Sequence, residues 1–115
     1  MKIQEVIEQM KSENLLDDRE MLVYATRQGT IGEVLSGEIH VVVLSVHNDT
    51  LYMHRATLNN SYKELIRQYR LSDIKIIKSK AGFFGGDFIF EYEGKQEQYI
   101  LPSRSERFAE FFANK

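Results

Sequence analysis

Three histidines, His40, His47 and His54, are the side chains best suited by type to hold a metal or move a proton. They fall in 38–56, which reads as two strands around His47-Asn48-Asp49-Thr50. With Asn48-Asp49 as a two-residue loop, His54 pairs opposite Val43, about 13 Å along the strands from His47. His40 lies on the other face, and no H-x-x-x-H pair occurs. The histidines therefore read as solvent-facing residues that do not converge on one metal. Carboxylates cluster at Asp17, Asp18 and Glu20 and again at Glu91, Glu93 and Glu97. Both clusters sit in turn-like sequence, whereas acid–base work needs one buried carboxyl with a raised pKa. No serine stands in a G-x-S-x-G elbow, and the absence of cysteine removes thiolate chemistry and disulfides. The glycines of "GTIGEVLSG" lack the lysine-hydroxyl end of a phosphate loop. No catalytic, cofactor-binding or metal residue is expected, and the chain reads as a non-enzyme.

What does stand out is binding chemistry. In "KSKAGFFGGDFIFEYEG", residues 78–94, Phe83 and Phe84 sit between glycines in a turn that follows two lysines. Gly82, Gly85 and Gly86 allow positive φ there, and an extended segment cannot point both rings inward. One ring is expected against the sheet and one in solvent. The same region holds the one local charge excess. Across 63–80, six basic residues (Lys63, Arg67, Arg70, Lys75, Lys78, Lys80) against Glu64 and Asp73 leave +4, although the chain's net charge is −2. Lys75, Lys78, Lys80, Phe83 and Phe84 thus form a basic-plus-aromatic candidate contact. At the other end, Ile3, Val6, Ile7 and Met10 repeat at helical spacing and offer a candidate self-association stripe.

The elements that must position these residues follow from periodicity. At 115 residues with 43 % hydrophobic and 28 % charged side chains, the chain is one soluble domain. An amphipathic helix covers 1–16, and "MLVYAT" is β-rich. "EIHVVVLSV" and "TLYMHRA" make a hairpin that gathers Val42, Leu44, Val46, Leu51 and Met53 on one face and Ser45, His47, Tyr52 and His54 on the other. "NNSYKELIRQYR" reads as a short helix or turn, and "SDIKIIKSK" as a strand with one wet face. "GDFIFEYE" and "QEQYIL" bracket Gly94-Lys95 as a type II′ loop, which pairs Phe88, Phe90 and Tyr92 with Leu101, Tyr99 and Glu97. Ser103 with Glu106 reads as a capping box opening a last helix that carries Phe108, Phe111 and Phe112. The expected fold is α+β: a strongly bent antiparallel sheet or small open barrel of six to seven strands, capped by the C-terminal helix and carrying an extra N-terminal one. The longest uncharged apolar run, "VVVLSV", is too short to span a bilayer, and the charged start has no signal core. A cytoplasmic location is expected.

That order, with "LYMHRATLNNSYKELIRQYRLSDIKIIKSKAGFFGGDFIFEYEGKQEQYIL" and the closing "SERFAEFF", resembles the bacterial pleckstrin-homology-like (GRAM-like) domains over 20–112. The resemblance implies a binding or scaffolding module without an active site or cofactor. Phosphoinositide-binding members have a basic first loop. Here 27–38 holds Arg27 against Glu33 and Glu38, a departure from that pattern. Two readings stay open. One is a module that binds a protein partner or a second copy of itself. The other is a peripheral binder of an anionic surface, lipid or nucleic acid, through 75–86, with the acidic balance of the chain disfavouring nucleic acid. A small apolar ligand held between sheet and helices is a third.

Overall fold

The computed structural model describes residues 2–28 and 41–114, so the loop "GTIGEVLSG" and His40 lie outside the described residues. In chain order the elements are α1 (Ile3–Ser12), β1 (Leu22–Gln28), β2 (Val41–His47), β3 (Thr50–Ala56) and β4 (Tyr62–Arg70). A 3-10 turn (Leu71–Asp73) leads to β5 (Lys75–Gly82), β6 (Gly85–Tyr92), β7 (Lys95–Leu101) and α2 (Glu106–Ala113). The strands form one open antiparallel sheet in the order β4-β3-β2-β1-β7-β6-β5. This is an α+β architecture with a helix at each end of the chain.

The sheet is strongly bent, and two contacts measure the bend. Tyr69 of β4 and Phe90 of β6 are five strand positions apart, about 24 Å on a flat sheet. Their ring centroids are 5.1 Å apart. Arg67 of β4 likewise reaches 3.6 Å from Glu97 of β7. The inner face so enclosed buries Val42, Leu44, Val46, Leu51 and Met53 with Phe88, Phe90, Tyr99 and Leu101, and α2 adds Phe108, Ala109 and Phe112. Phe88 is the hub, with ring centroids 4.7 Å from Phe112 and 5.5 Å from Phe108.

The first hairpin has the expected register: Val46 pairs with Leu51, Leu44 with Met53 and Val43 with His54. Three local expectations are corrected. Residues 62–70 form a strand, not a helix or turn. Lys, Glu, Leu, Arg and Gln favour a helix locally, but β3 offers a full pairing edge and Tyr69 drops into the core. The second hairpin turns at Glu93-Gly94, with φ of 50° and 80°, so Phe88 pairs with Tyr99 and Phe90 with Glu97. Two consecutive positive φ values are the type I′ requirement, and Gly94 meets the second one without strain. The helix α2 starts without the Ser103 box. Ser105 precedes it, and its Oγ donates to the carbonyl of Pro102 at 2.6 Å instead of capping the helix.

Candidate interaction surface

The hairpin β5–β6 carries the basic-plus-aromatic segment, and its geometry starts from backbone contact. Gly82 pairs with Gly85, leaving Phe83-Phe84 as the two-residue turn. At Gly85, φ is +115°, and an added Cβ would stand 2.4 Å from the carbonyl oxygen of Leu101; at Gly86 it would stand 1.9 Å from that of Lys80. Only glycine fits where these chain segments run so close. The turn thus held presents both rings to solvent, Phe83 at 83 % and Phe84 at 93 % exposure. This corrects the expectation of one ring inside. The two side chains leave a tip beyond the end of the sheet face and find only each other, edge to face at 5.0 Å.

A β-bulge decides where the lysines go. Lys75 pairs with Glu91, Lys78 with Ile89 and Lys80 with Asp87, with the register slipping between Ile76 and Lys78. Lys75 differs in parity from Lys78 and Lys80, so a regular strand would send it to the other face. The extra residue at Ile77 puts all three into one row. Since Phe88 and Phe90 are buried, that row and its partners Asp87, Ile89 and Glu91 face outward. Lys78 Nζ lies 3.0 Å from Asp87. The basic stretch read from sequence is thus dispersed: Arg67 turns to Glu97, and the lysines lie beside a row of carboxylates.

The apolar stripe of α1 is used within the chain. Val6 and Met10 are fully buried with Leu16 and Val43, and Ile7 is partly buried beside them, leaving Ile3 exposed. The helix lies on the outer face of the sheet, over the side that the hairpin pattern assigned to solvent. That placement also buries His54, at 4 % exposure, correcting its solvent-facing reading. His54 packs edge to face on Tyr62 at 5.3 Å, while Tyr62 donates to the Glu13 carboxylate just past α1. Burial lowers the His54 pKa from its usual value, opposed by the nearby Glu13 and Glu64 carboxylates. Its Nδ1 has no hydrogen-bond partner among the described residues.

Glu97, grouped from sequence with the wet carboxylates, is also buried. It stands between Arg27 at 3.4 Å and Arg67 at 3.6 Å, close to Tyr69 and Tyr99 on the inner face. Burial foremost raises the Tyr99 pKa, and its hydroxyl donates to Met53 Sδ at 3.2 Å. This ion group ties β1, β4 and β7 across the bend and accounts for the charge at an otherwise apolar centre. Asp17 is a structural carboxylate as well. Hydrogen bonds from Arg19 hold its pKa down at about 2 against partial burial, and the backbone N–H of Asn48 adds a further bond. One spacing that the sequence reading passed over, Ser72-Asp-Ile-Lys75, fits S-x-x-K. The structure puts Ser72 in the 3-10 turn and Lys75 at the start of β5, both exposed, so they do not share a helical turn.

Among the described residues no three His, Cys, Asp or Glu side chains gather as a metal site. Likewise, no described helix is long and apolar enough to cross a membrane. No protein-family model matches the chain, and searches of curated proteins and of solved structures also return no match.

Proposed function

We propose that this chain is a non-catalytic interaction module of pleckstrin-homology-like (GRAM-like) type that grips a protein partner with the aromatic tip of β5–β6. The bent seven-strand sheet with its C-terminal helix supports the fold part of this reading. One observation carries the functional part: two adjacent phenylalanine rings stand almost fully in solvent on a turn followed by two glycines, Gly85 and Gly86, that admit no side chain. Seating both in a partner pocket would remove roughly 300 Å² of apolar surface, about 7 kcal/mol before the costs of association. A turn pinned by close backbone approach at Gly85 and Gly86 loses less conformational entropy on binding than a loose loop, which favours such an anchor.

Charge favours a protein over a flat anionic surface. On the outer face of this hairpin Lys75, Lys78 and Lys80 alternate across the strands with Glu91 and Asp87, so a lipid surface laid on it meets both signs. The α1 stripe does not support self-association, because Val6 and Met10 are already buried. The test pairs wild type with the Phe83→Ala/Phe84→Ala double variant in affinity capture from the native cell, read by mass spectrometry. The variant should melt within about 2 °C of wild type, since exposed positions contribute little, and should lose the captured partner. Retention of the same partner would end the tip reading. Salt-sensitive binding of wild type to phosphatidylserine vesicles, without a protein partner, would replace it with the anionic-surface reading.

A further inference from the structure

Strand order sets the lysines on the rim of the sheet and the carboxylates one strand further in. Among the described residues β5 has a single strand neighbour, β6, and its other side is an edge with backbone groups open to pairing. A ligand that comes edge-on meets the row Lys75, Lys78, Lys80 before it meets Asp87 or Glu91. Lys78 is engaged with Asp87, whereas Lys75 and Lys80 make no ion pair among the described residues. Along the same strand runs a groove of about 520 Å³, lined by Lys75, Ile76, Ile77, Lys78, Phe112 and Ala113 among others, between β5 and the end of α2.

We infer that this edge takes an extended segment of the partner protein in which acidic side chains alternate with apolar ones. The inference deepens the proposed function and rests on it. An added strand has side chains that alternate with a period of two. Its acidic residues recur about every 6.8 Å, the spacing of Lys78 and Lys80, and the bulge at Ile77 brings Lys75 into the same row. Its apolar residues fall on the opposite face, toward Ile76 and the end of α2 in the groove. Charge also selects against a second copy of this chain, because edge-to-edge pairing of two β5 strands would set lysine rows side by side.

Amide chemical-shift titration of the full chain tests this, with a soluble ten-residue peptide alternating glutamate with valine and threonine, and its lysine counterpart as control. The acidic peptide should shift amides of 74–82 and 110–113 and leave α1 unmoved. The Lys75→Glu/Lys80→Glu variant, which spares the Lys78–Asp87 pair, should melt like wild type and bind at least ten-fold more weakly. Shifts elsewhere, equal binding of the lysine peptide, full binding by the charge-reversed variant, or no shift at millimolar peptide would each overturn the inference. So would salt-sensitive phosphatidylserine-vesicle binding lost in the same variant, which would give the lysine row to a membrane. Phe83→Ala/Phe84→Ala separates the two levels. If that variant loses the captured partner while the acidic peptide moves no β5 amide, the edge inference falls and the tip reading stands.

Discussion

Replacing Phe112 with alanine tests the architecture at its most crowded point. The ring is fully buried and packs against Phe88, Phe108 and Phe111 with centroids 4.7, 5.0 and 5.0 Å away. A buried phenylalanine cut to alanine costs about 3–5 kcal/mol through lost transfer energy and the cavity left behind. Three ring contacts place Phe112 at the upper end of that range. A chain of this length has about 6–17 kcal/mol of total stability. At roughly 4–6 °C per kcal/mol, a loss near 5 kcal/mol lowers Tm by about 20–30 °C. Phe108→Ala should cost nearly as much. The two together should cost less than their sum, because each lines the cavity of the other. Phe111 is half-buried under the Arg19 guanidinium at 5.0 Å, and its alanine variant should lose about 1 kcal/mol. Urea unfolding followed by circular dichroism reads all of these, and truncation after Pro102 should abolish the cooperative transition. A truncated or Phe112→Ala protein melting within a few degrees of wild type would refute a core closed by α2.

Two further outcomes follow from buried geometry. The His54 pKa is lowered in the folded state, so the unfolded chain takes up this proton first. Its contribution is complete above the unfolded value near 6.5 and shrinks as pH falls below it, by at most about 1.4 kcal/mol per pH unit. His54→Phe should flatten that part of the stability profile between pH 7 and 5.5, and an unchanged slope would show that His54 is not the group responsible. At the hairpin, Gly86→Ala forces a Cβ onto the Lys80 carbonyl and should destabilise by more than 2 kcal/mol, whereas Gly82→Ala meets nothing within 4 Å and should be nearly neutral. Equal melting temperatures for the two variants would contradict the close approach of β5 and β6.

Much of the fold was legible because its signals are local. The period-two pattern of 41–56 sets the Asn48-Asp49 turn and its register, and the helical spacing of Ile3, Val6, Ile7 and Met10 sets α1. The aromatic spacing of Phe108 and Phe112 marks the inward side of α2. The candidate contact was legible as residue types, an aromatic pair beside lysines, but its shape was not. Whether a ring at a turn points in or out depends on how the turn projects from the folded sheet, which no local pattern states. Likewise, the alignment of Lys75 with Lys78 and Lys80 needs the bulge at Ile77, which no composition announces. Tertiary contact decided the rest. Residues 62–70 prefer a helix by propensity and become a strand because the edge of β3 is there to pair with. His54 and Glu97 carry no local mark of burial. One is covered when α1 lies across the outer face, and the other when the bend brings Arg67 from β4 to the far side of the sheet. Propensity and periodicity act over a few residues and can be read along the chain. Burial and charge pairing depend on which distant segments meet, and only the folded sheet sets that.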